Sequence, residues 1–255
     1  MNWTKRQLQL MEDFKRERGY WADHWESVLQ HDPDYFEAYL NFAVLPAKSG
    51  PLQPKMKEFI LIAVDVVTTH LYEPGLRIHI RNAFHCGATD GEIVEVIELV
   101  SDIGLQSSTV GIPILLDELR KASRSNEIVD SSLSEAQEQL KNTFIQRRGH
   151  WSSAWESILL EDPDYFAAAL QLSAGPWKNG SLEPKMKEII YIAINASITH
   201  LNQDALRIHI ANALRYGASK AEILETLELV SRLGIHAVTL GMTALQDERN
   251  KQANQ

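Results

Sequence analysis

The chain repeats itself at an offset of 130 residues without a gap, and this limits its possible folds more than any other feature. WESVLQHDPDYFEAYL, from Trp25 to Leu40, returns as WESILLEDPDYFAAAL, from Trp155 to Leu170. PKMKEFILIA at Pro54 returns as PKMKEIIYIA at Pro184, LRIHI at Leu76 returns at Leu206, and ELVSDIG at Glu98 returns as ELVSRLG at Glu228. About half the positions between Phe14 and Glu118 match their partners. Solenoid repeats run to roughly 20–50 residues, so the duplicated unit is a whole domain, and each copy is expected to hold its own core. The expected domains are residues 1–125 and 131–255. Their joint is ASRSNEIVDSSL, Ala122 to Leu133, where Ser and Asp interrupt the apolar pattern.

Within each copy the signals are helical. Asp32-Pro33 and Asp162-Pro163 place a capping residue before a proline at the first helical position. Pro54 and Pro184 open a segment whose apolar content predicts burial. Gly87 and Gly217 read as C-cap glycines, and Thr89-x-x-Glu92 and Ser219-x-x-Glu222 follow at once as capping boxes. Ile93, Val96, Ile97 and Val100 then recur at helical spacing. Hairpin signals are scarce. The expected fold is all-α, a tandem duplication with about six helices per copy. Val64 to Thr69, rich in β-branched residues, is the stretch least suited to a helix.

Acidic and basic residues number 34 and 25, a formal charge of −9 that argues against nucleic acid as a partner. The charged start, MNWTKRQLQLMEDFKRERGY, does not read as a secretory leader. No run reaches the roughly 18 uninterrupted apolar residues of a membrane span, so a cytoplasmic protein without membrane attachment is expected. Cys86 is the single cysteine, which excludes an internal disulfide, a CxxC pair and a cysteine-based zinc site.

Comparing the copies isolates the polar residues that both retain in apolar surroundings: Glu58/Glu188, Thr69/Thr199, His70/His200, Arg77/Arg207 and His79/His209. Asp65 becomes Asn195, Arg81 becomes Ala211, Tyr72 becomes Asn202 and Cys86 becomes Tyr216. His79 shares a helical stripe with Leu76, Ile80 and Ala83, at the edge of a buried face. Burial favours a neutral imidazole, able to accept or donate one proton, although a packed core histidine has the same pattern. Glu58, Ile62, Asp65 and Thr69 set a polar stripe along the preceding helix. A carboxylate there needs a partner, for which Arg77, His70 and His79 are candidates, unless Glu58 merely complements the helix dipole. Arg77 and Arg207 could grip a carboxylate with two hydrogen bonds, or bridge helices. No phosphate loop, GxGxxG, GxSxG or HExxH occurs, and nothing demands a metal or other cofactor.

The segments KEFILIAVDVVTTHLYEPGLRIHIRNAFHCGATDGEIVEVIELVSDIGL and KEIIYIAINASITHLNQDALRIHIANALRYGASKAEILETLELVSRLGI resemble the core of the carboxymuconolactone decarboxylase family. The Glu-led apolar helix, the LRxHxxxA helix, the Gly-Ala-Thr/Ser turn and the acidic capped helix carry the likeness. It implies an all-helical fold related to alkylhydroperoxidase D, and assembly into trimers or hexamers. For a tandem chain that means a homotrimer forming a pseudo-hexamer. The family histidine falls on His79 and His209. Counting from Glu58, the peroxidase cysteines would fall near His70 and Glu73, and in the second copy near His200 and Gln203. No cysteine stands there, which disfavours a dithiol peroxidase. The resemblance therefore implies a cofactor-independent decarboxylase, or a related lyase or isomerase, for a small acidic lactone of aromatic-ring breakdown. His79 and His209, with His70, His200, Glu58 and Glu188, are the expected acid–base groups, and Arg77, Arg207 and Tyr72 the expected substrate contacts. A non-catalytic ligand-binding assembly is the alternative. The differences between copies suggest unequal sites, with the first the more competent.

Overall fold

The computed structural model describes residues 3–129 and 132–253; residues 130 and 131 of the joint, including the expected start of the second domain, lie outside the described residues. Among the described residues the regular structure is helical, with seven α-helices in each copy. The first copy holds α1 (Lys5–Arg18), α2 (His24–His31), α3 (Pro33–Ser49), α4 (Pro54–Val66), α5 (Glu73–His85), α6 (Asp90–Ser101) and α7 (Gln106–Lys121). The second repeats them as α8 (Glu135–Arg148), α9 (Ser153–Glu161), α10 (Pro163–Asn179), α11 (Pro184–Ala196), α12 (Gln203–Arg215), α13 (Lys220–Val230) and α14 (Ile235–Ala253).

Local chemistry sets these boundaries. Asp32 and Asp162 accept from the Tyr35 and Tyr165 amides, each 2.9 Å away, ahead of prolines at the first helical positions. Thr89 and Ser219 close the expected capping boxes, and Gly87 and Gly217 take left-handed φ angles of 79° and 84°. The β-branched stretch does not continue its helix: α4 ends at Val66, and Thr69 lies in the turn that follows. Asp90–Lys121 has the length and hydropathy of a membrane span, but a 3-10 turn at Asp102–Leu105 divides it into α6 and α7, and α6 sends Val96 and Leu99 into the core.

The two copies do not hold separate cores. α4 and α11 pack on each other, and α6 and α13 close over them crosswise. One cluster joins Phe59, Ile60 and Val64 to Ile189, Ile190 and Ala193. An approximate twofold axis passes between Thr69 and Thr199, whose hydroxyls lie 3.2 Å apart. Alone, either copy would expose the near-continuous apolar surface of α4 or α11, which is why the repeat is stable as one body. The last helix of each copy also crosses over. α14 packs on α2 and joins the aromatic cluster of Phe14, Trp25 and Phe36, and α7 packs on α9.

Buried carboxylates lock this exchange. Glu95 accepts from the Ser181 and Leu182 amides at 2.6 and 3.0 Å, and pairs with Lys187 at 2.8 Å. Glu225 mirrors it with the Leu52 amide and Lys57, both at 2.7 Å. The approach is so close that a Cβ on Gly180 would overlap the Glu95 carboxylate, and one on Gly50 that of Glu225.

Candidate functional site

After α4 and α11 the chain turns sharply through Leu71 and Leu201, at φ of 50° and 47°. A bulky residue in that region costs roughly 1–3 kcal/mol. The turn is held by amide-to-carbonyl hydrogen bonds, Tyr72 to Asp65 at 2.8 Å and Asn202 to Asn195 at 3.0 Å. It folds His70 and Tyr72 back over the end of α4, and places α5 so that His79 faces Glu58. His79 Nδ1 lies 2.7 Å from Glu58 Oε2, and His209 Nδ1 lies 2.7 Å from Glu188 Oε2. A carboxylate oxygen can only accept, so Nδ1 carries a proton in each, and burial, which disfavours a charged His79, leaves its Nε2 with a lone pair. Of the three expected partners for Glu58, the structure selects His79.

Each Glu–His dyad borders a cavity completed by the other copy. The first holds about 30 Å3 and is lined by Arg18, Tyr20, Asp65, Tyr72 and His79, with Arg232, His236 and Thr239 from the second copy. The second holds about 310 Å3 and is lined by Arg148, His150, Trp155, Tyr191, Asn202 and His209, with Asp102 and Gln106 from the first.

Arg77 and Arg207 line neither cavity. Arg77 pairs in solvent with Glu73 at 2.7 Å, and Arg207 is exposed. Two residues advance a helix by about 200°, so a guanidinium two positions before His79 points away from the face that carries the imidazole. The guanidiniums at the cavities are instead Arg18 and Arg232 in the first, and Arg148 in the second. His70 and His200 stand one layer back: His70 Nε2 bonds His236 Nδ1 at 2.8 Å, and His200 Nε2 bonds Gln106 Oε1 at 2.7 Å. Tyr72 does line the first cavity, stacked on His236 at 3.8 Å with its hydroxyl 3.2 Å from that of Thr239. Cys86 is exposed.

The electrostatics of the two cavities differ. In the first, neither Arg18 nor Arg232 makes an ion pair among the described residues, and the Nε of each lacks a hydrogen-bond partner. Burial, followed by repulsion from Arg18, lowers the Arg232 pKa. Asp65 is 1% exposed, with Oδ2 unpartnered and 3.9 Å from His79 Nε2. Burial pushes its pKa up to about 8, against the pull of Arg232, so it holds its proton at neutral pH. Burial also lowers His79, outweighing the Glu58 hydrogen bond, and drives His236 down to about 3 with help from His70 and His79. In the second cavity Arg148 is neutralised. Its Nη1 lies 2.7 Å from Asp102 Oδ2, which also accepts from the Tyr191 hydroxyl. Asn195 replaces Asp65 and is hydrogen-bonded to Gln106 and to the Tyr191 carbonyl.

Asp65, His70 and His236 bring three metal-type ligand atoms within 4.8 Å of one another. Two guanidiniums outside any ion pair among the described residues face the adjoining cavity, and the imidazoles already bond each other, so the surroundings fit an anion better than a cation.

The features that sequence reasoning passed over were open to the same self-comparison. Arg18 and Arg148 match across the repeat, and the aspartate of ELVSDIG becomes the arginine of ELVSRLG, a charge reversal at Asp102/Arg232. Its importance depends on the crossover, which no pattern within one copy reveals.

The carboxymuconolactone decarboxylase family model matches residues 33–107 and again 163–243. The chain is similar to the crystal structure of a provisionally named gamma-carboxymuconolactone decarboxylase subunit from Burkholderia xenovorans LB400, with 41% identity and a TM-score of 0.92 over 96% of this chain and 98% of that one. No curated protein matches the chain. Matched twice by that model, and across nearly its whole length by that structure, the chain belongs to the carboxymuconolactone decarboxylase family.

Proposed function

We propose that the chain is a lyase that decarboxylates a small acidic lactone, working without a bound cofactor, with turnover at the first site. The observation that carries this reading is a buried carboxyl, Asp65, with an unpartnered oxygen set 3.9 Å from Nε2 of the Glu58–His79 dyad, in a cavity with two guanidiniums outside any ion pair among the described residues. Arg18 and Arg232 would bind the substrate carboxylates. Breaking the bond to CO2 leaves an electron pair that moves through the ring double bond to the lactone carbonyl, where the guanidiniums stabilise the resulting enolate. Asp65 then gives its proton, through His79 or an intervening water, to the ring carbon, and the carbon–hydrogen bond replaces the bond to CO2. Admission of an organic acid requires side chains lining the cavity to move, because about 30 Å3 has room for little more than water. The second site lacks this acid, having Asn195 in its place.

The test is CO2 release from gamma-carboxymuconolactone by the purified protein across a pH series. Turnover is expected at neutral pH, falling as pH rises through about 8, where Asp65 loses its proton. No CO2 release, or a rate that climbs steadily past that pH, contradicts the reading.

The assembly we propose is a homotrimer with six equivalent units. Apolar residues are exposed at matching positions in both copies: Phe42/Leu172, Phe84/Leu214, Val94/Leu224 and Val110/Leu240. Repeated apolar faces fit a ring in which each copy makes the same contacts. Light scattering should give a mass near three chains; a monomer contradicts it.

A further inference from the structure

We propose that the second cavity is a binding site for an uncharged cyclic molecule, different in charge from the substrate of the first, and that Asp102 sets this selectivity. The cavity, at about 310 Å3, has room for a small organic molecule, whereas the first, at about 30 Å3, does not. Trp155 and Tyr191 offer it aromatic surface, and Gln106 and Asn202 offer amides.

Its charge differs from the first at four matched positions. Arg232 is answered by Asp102, Asp65 by Asn195, His236 by Gln106 and Tyr72 by Asn202. In each exchange a cation, an acid or an ionisable ring gives way to a group that cancels charge or carries none. The one guanidinium is committed to Asp102 at 2.7 Å and to the Ser173 carbonyl at 2.8 Å. The Glu188 carboxylate holds His209 at 2.7 Å and the Asn212 amide at 3.2 Å. An entering anion would meet an Arg148 already paired with Asp102 and, at the rim, Asp204. An entering cation would find the Asp102 carboxylate already paired with Arg148, and Asp204 exposed at the rim. An uncharged ring with a polar substituent loses least on entry, because amide walls replace its hydrogen bonds to water and aromatic walls cover its faces.

Arg148 and Asp102 come from different copies. The crossover that completes each cavity therefore also delivers the residue that sorts them, a carboxylate in one and a second guanidinium in the other. The proposal extends the reading of the first site without resting on turnover there, and binding can be read with no reaction.

The experiment is calorimetric titration of the intact protein with benzamide, benzoate and benzamidine, which share a ring and carry charges of 0, −1 and +1. Benzamide is expected to bind at least about tenfold more tightly than either ion, since ~1.4 kcal/mol of charge mismatch suffices for that ratio. Asp102→Asn, which touches only the second cavity, should free Arg148 and turn the preference towards benzoate. If that variant folds poorly, the double variant Asp102→Leu/Arg148→Met removes both charges and should keep the preference for benzamide. Equal or tighter binding of either ion that persists in Arg18→Met, which removes a guanidinium of the first cavity alone, or no benzamide binding at millimolar concentration, overturns the site. An unchanged ranking in folded Asp102→Asn overturns the role of Asp102. Loss of the benzamide preference in the double variant also overturns that role.

Discussion

Asp65→Asn is expected to make the protein more stable and nearly inactive. The stability effect follows from linkage. Asp65 titrates near 8 in the fold and near 3.9 in an unfolded chain. Above the lower value the unfolded chain ionises while the native carboxyl keeps its proton, so folding takes up a proton and stability falls as pH rises from about 4 to about 8. Asparagine is the neutral isostere. The second copy already holds it at Asn195, fully buried and hydrogen-bonded to the carbonyl one turn back. The gain should be absent below pH 4 and reach a few kcal/mol by pH 8, about 5–10 °C in Tm. The same change removes the proton donor, and turnover should drop by about 10²–10⁴. Thermal melts and CO2 assays on one preparation check both. Lower stability at pH 8, or retained turnover, would refute the assignment of a neutral, acidic Asp65.

Glu95→Ala should cause one of the largest losses of stability that any single substitution in the chain can give. It strands the Lys187 ammonium at 3% side-chain exposure and removes the acceptor of the Ser181 and Leu182 amides. Breaking a buried pair on one side costs about 3–5 kcal/mol, which is roughly 10 °C or more in Tm for a chain of this size. Glu118→Ala, which breaks the exposed pair with Lys121, should change stability by under about 0.5 kcal/mol. Calorimetry separates the two. A small effect at Glu95 would mean that the copies are not locked through this carboxylate. Melting should be a single transition, because the largest core belongs to both copies.

The duplication, the helical class and most helix starts were legible because they rest on local chemistry: Asp32-Pro33, Thr89-x-x-Glu92 and the left-handed Gly87 each act over three or four residues. The Glu–His dyad was half legible, since spacing showed Glu58 and His79 on buried faces and only packing could pair them. Arg77 misled because retention in both copies marked it, while its helical phase, also readable, turned it to solvent. The shared core and the crossed helices were not legible. The apolar surface of α4 and α11 records that burial occurs, but not that the partner is the other copy. For the same reason Arg232 and His236 could not be placed beside His79, from which they are over 150 residues distant in the chain.

Both cavities carry a Glu–His dyad with the same 2.7 Å hydrogen bond, yet only the first adds the buried carboxyl of Asp65 and two guanidiniums outside any ion pair among the described residues. The rates of CO2 release by His79→Gln and His209→Gln, measured side by side at pH 7 on gamma-carboxymuconolactone, therefore test the account at its centre. His79→Gln should lose at least about a hundredfold while His209→Gln keeps most of the wild-type rate. Equal losses in the two variants, or a loss confined to His209→Gln, would contradict it.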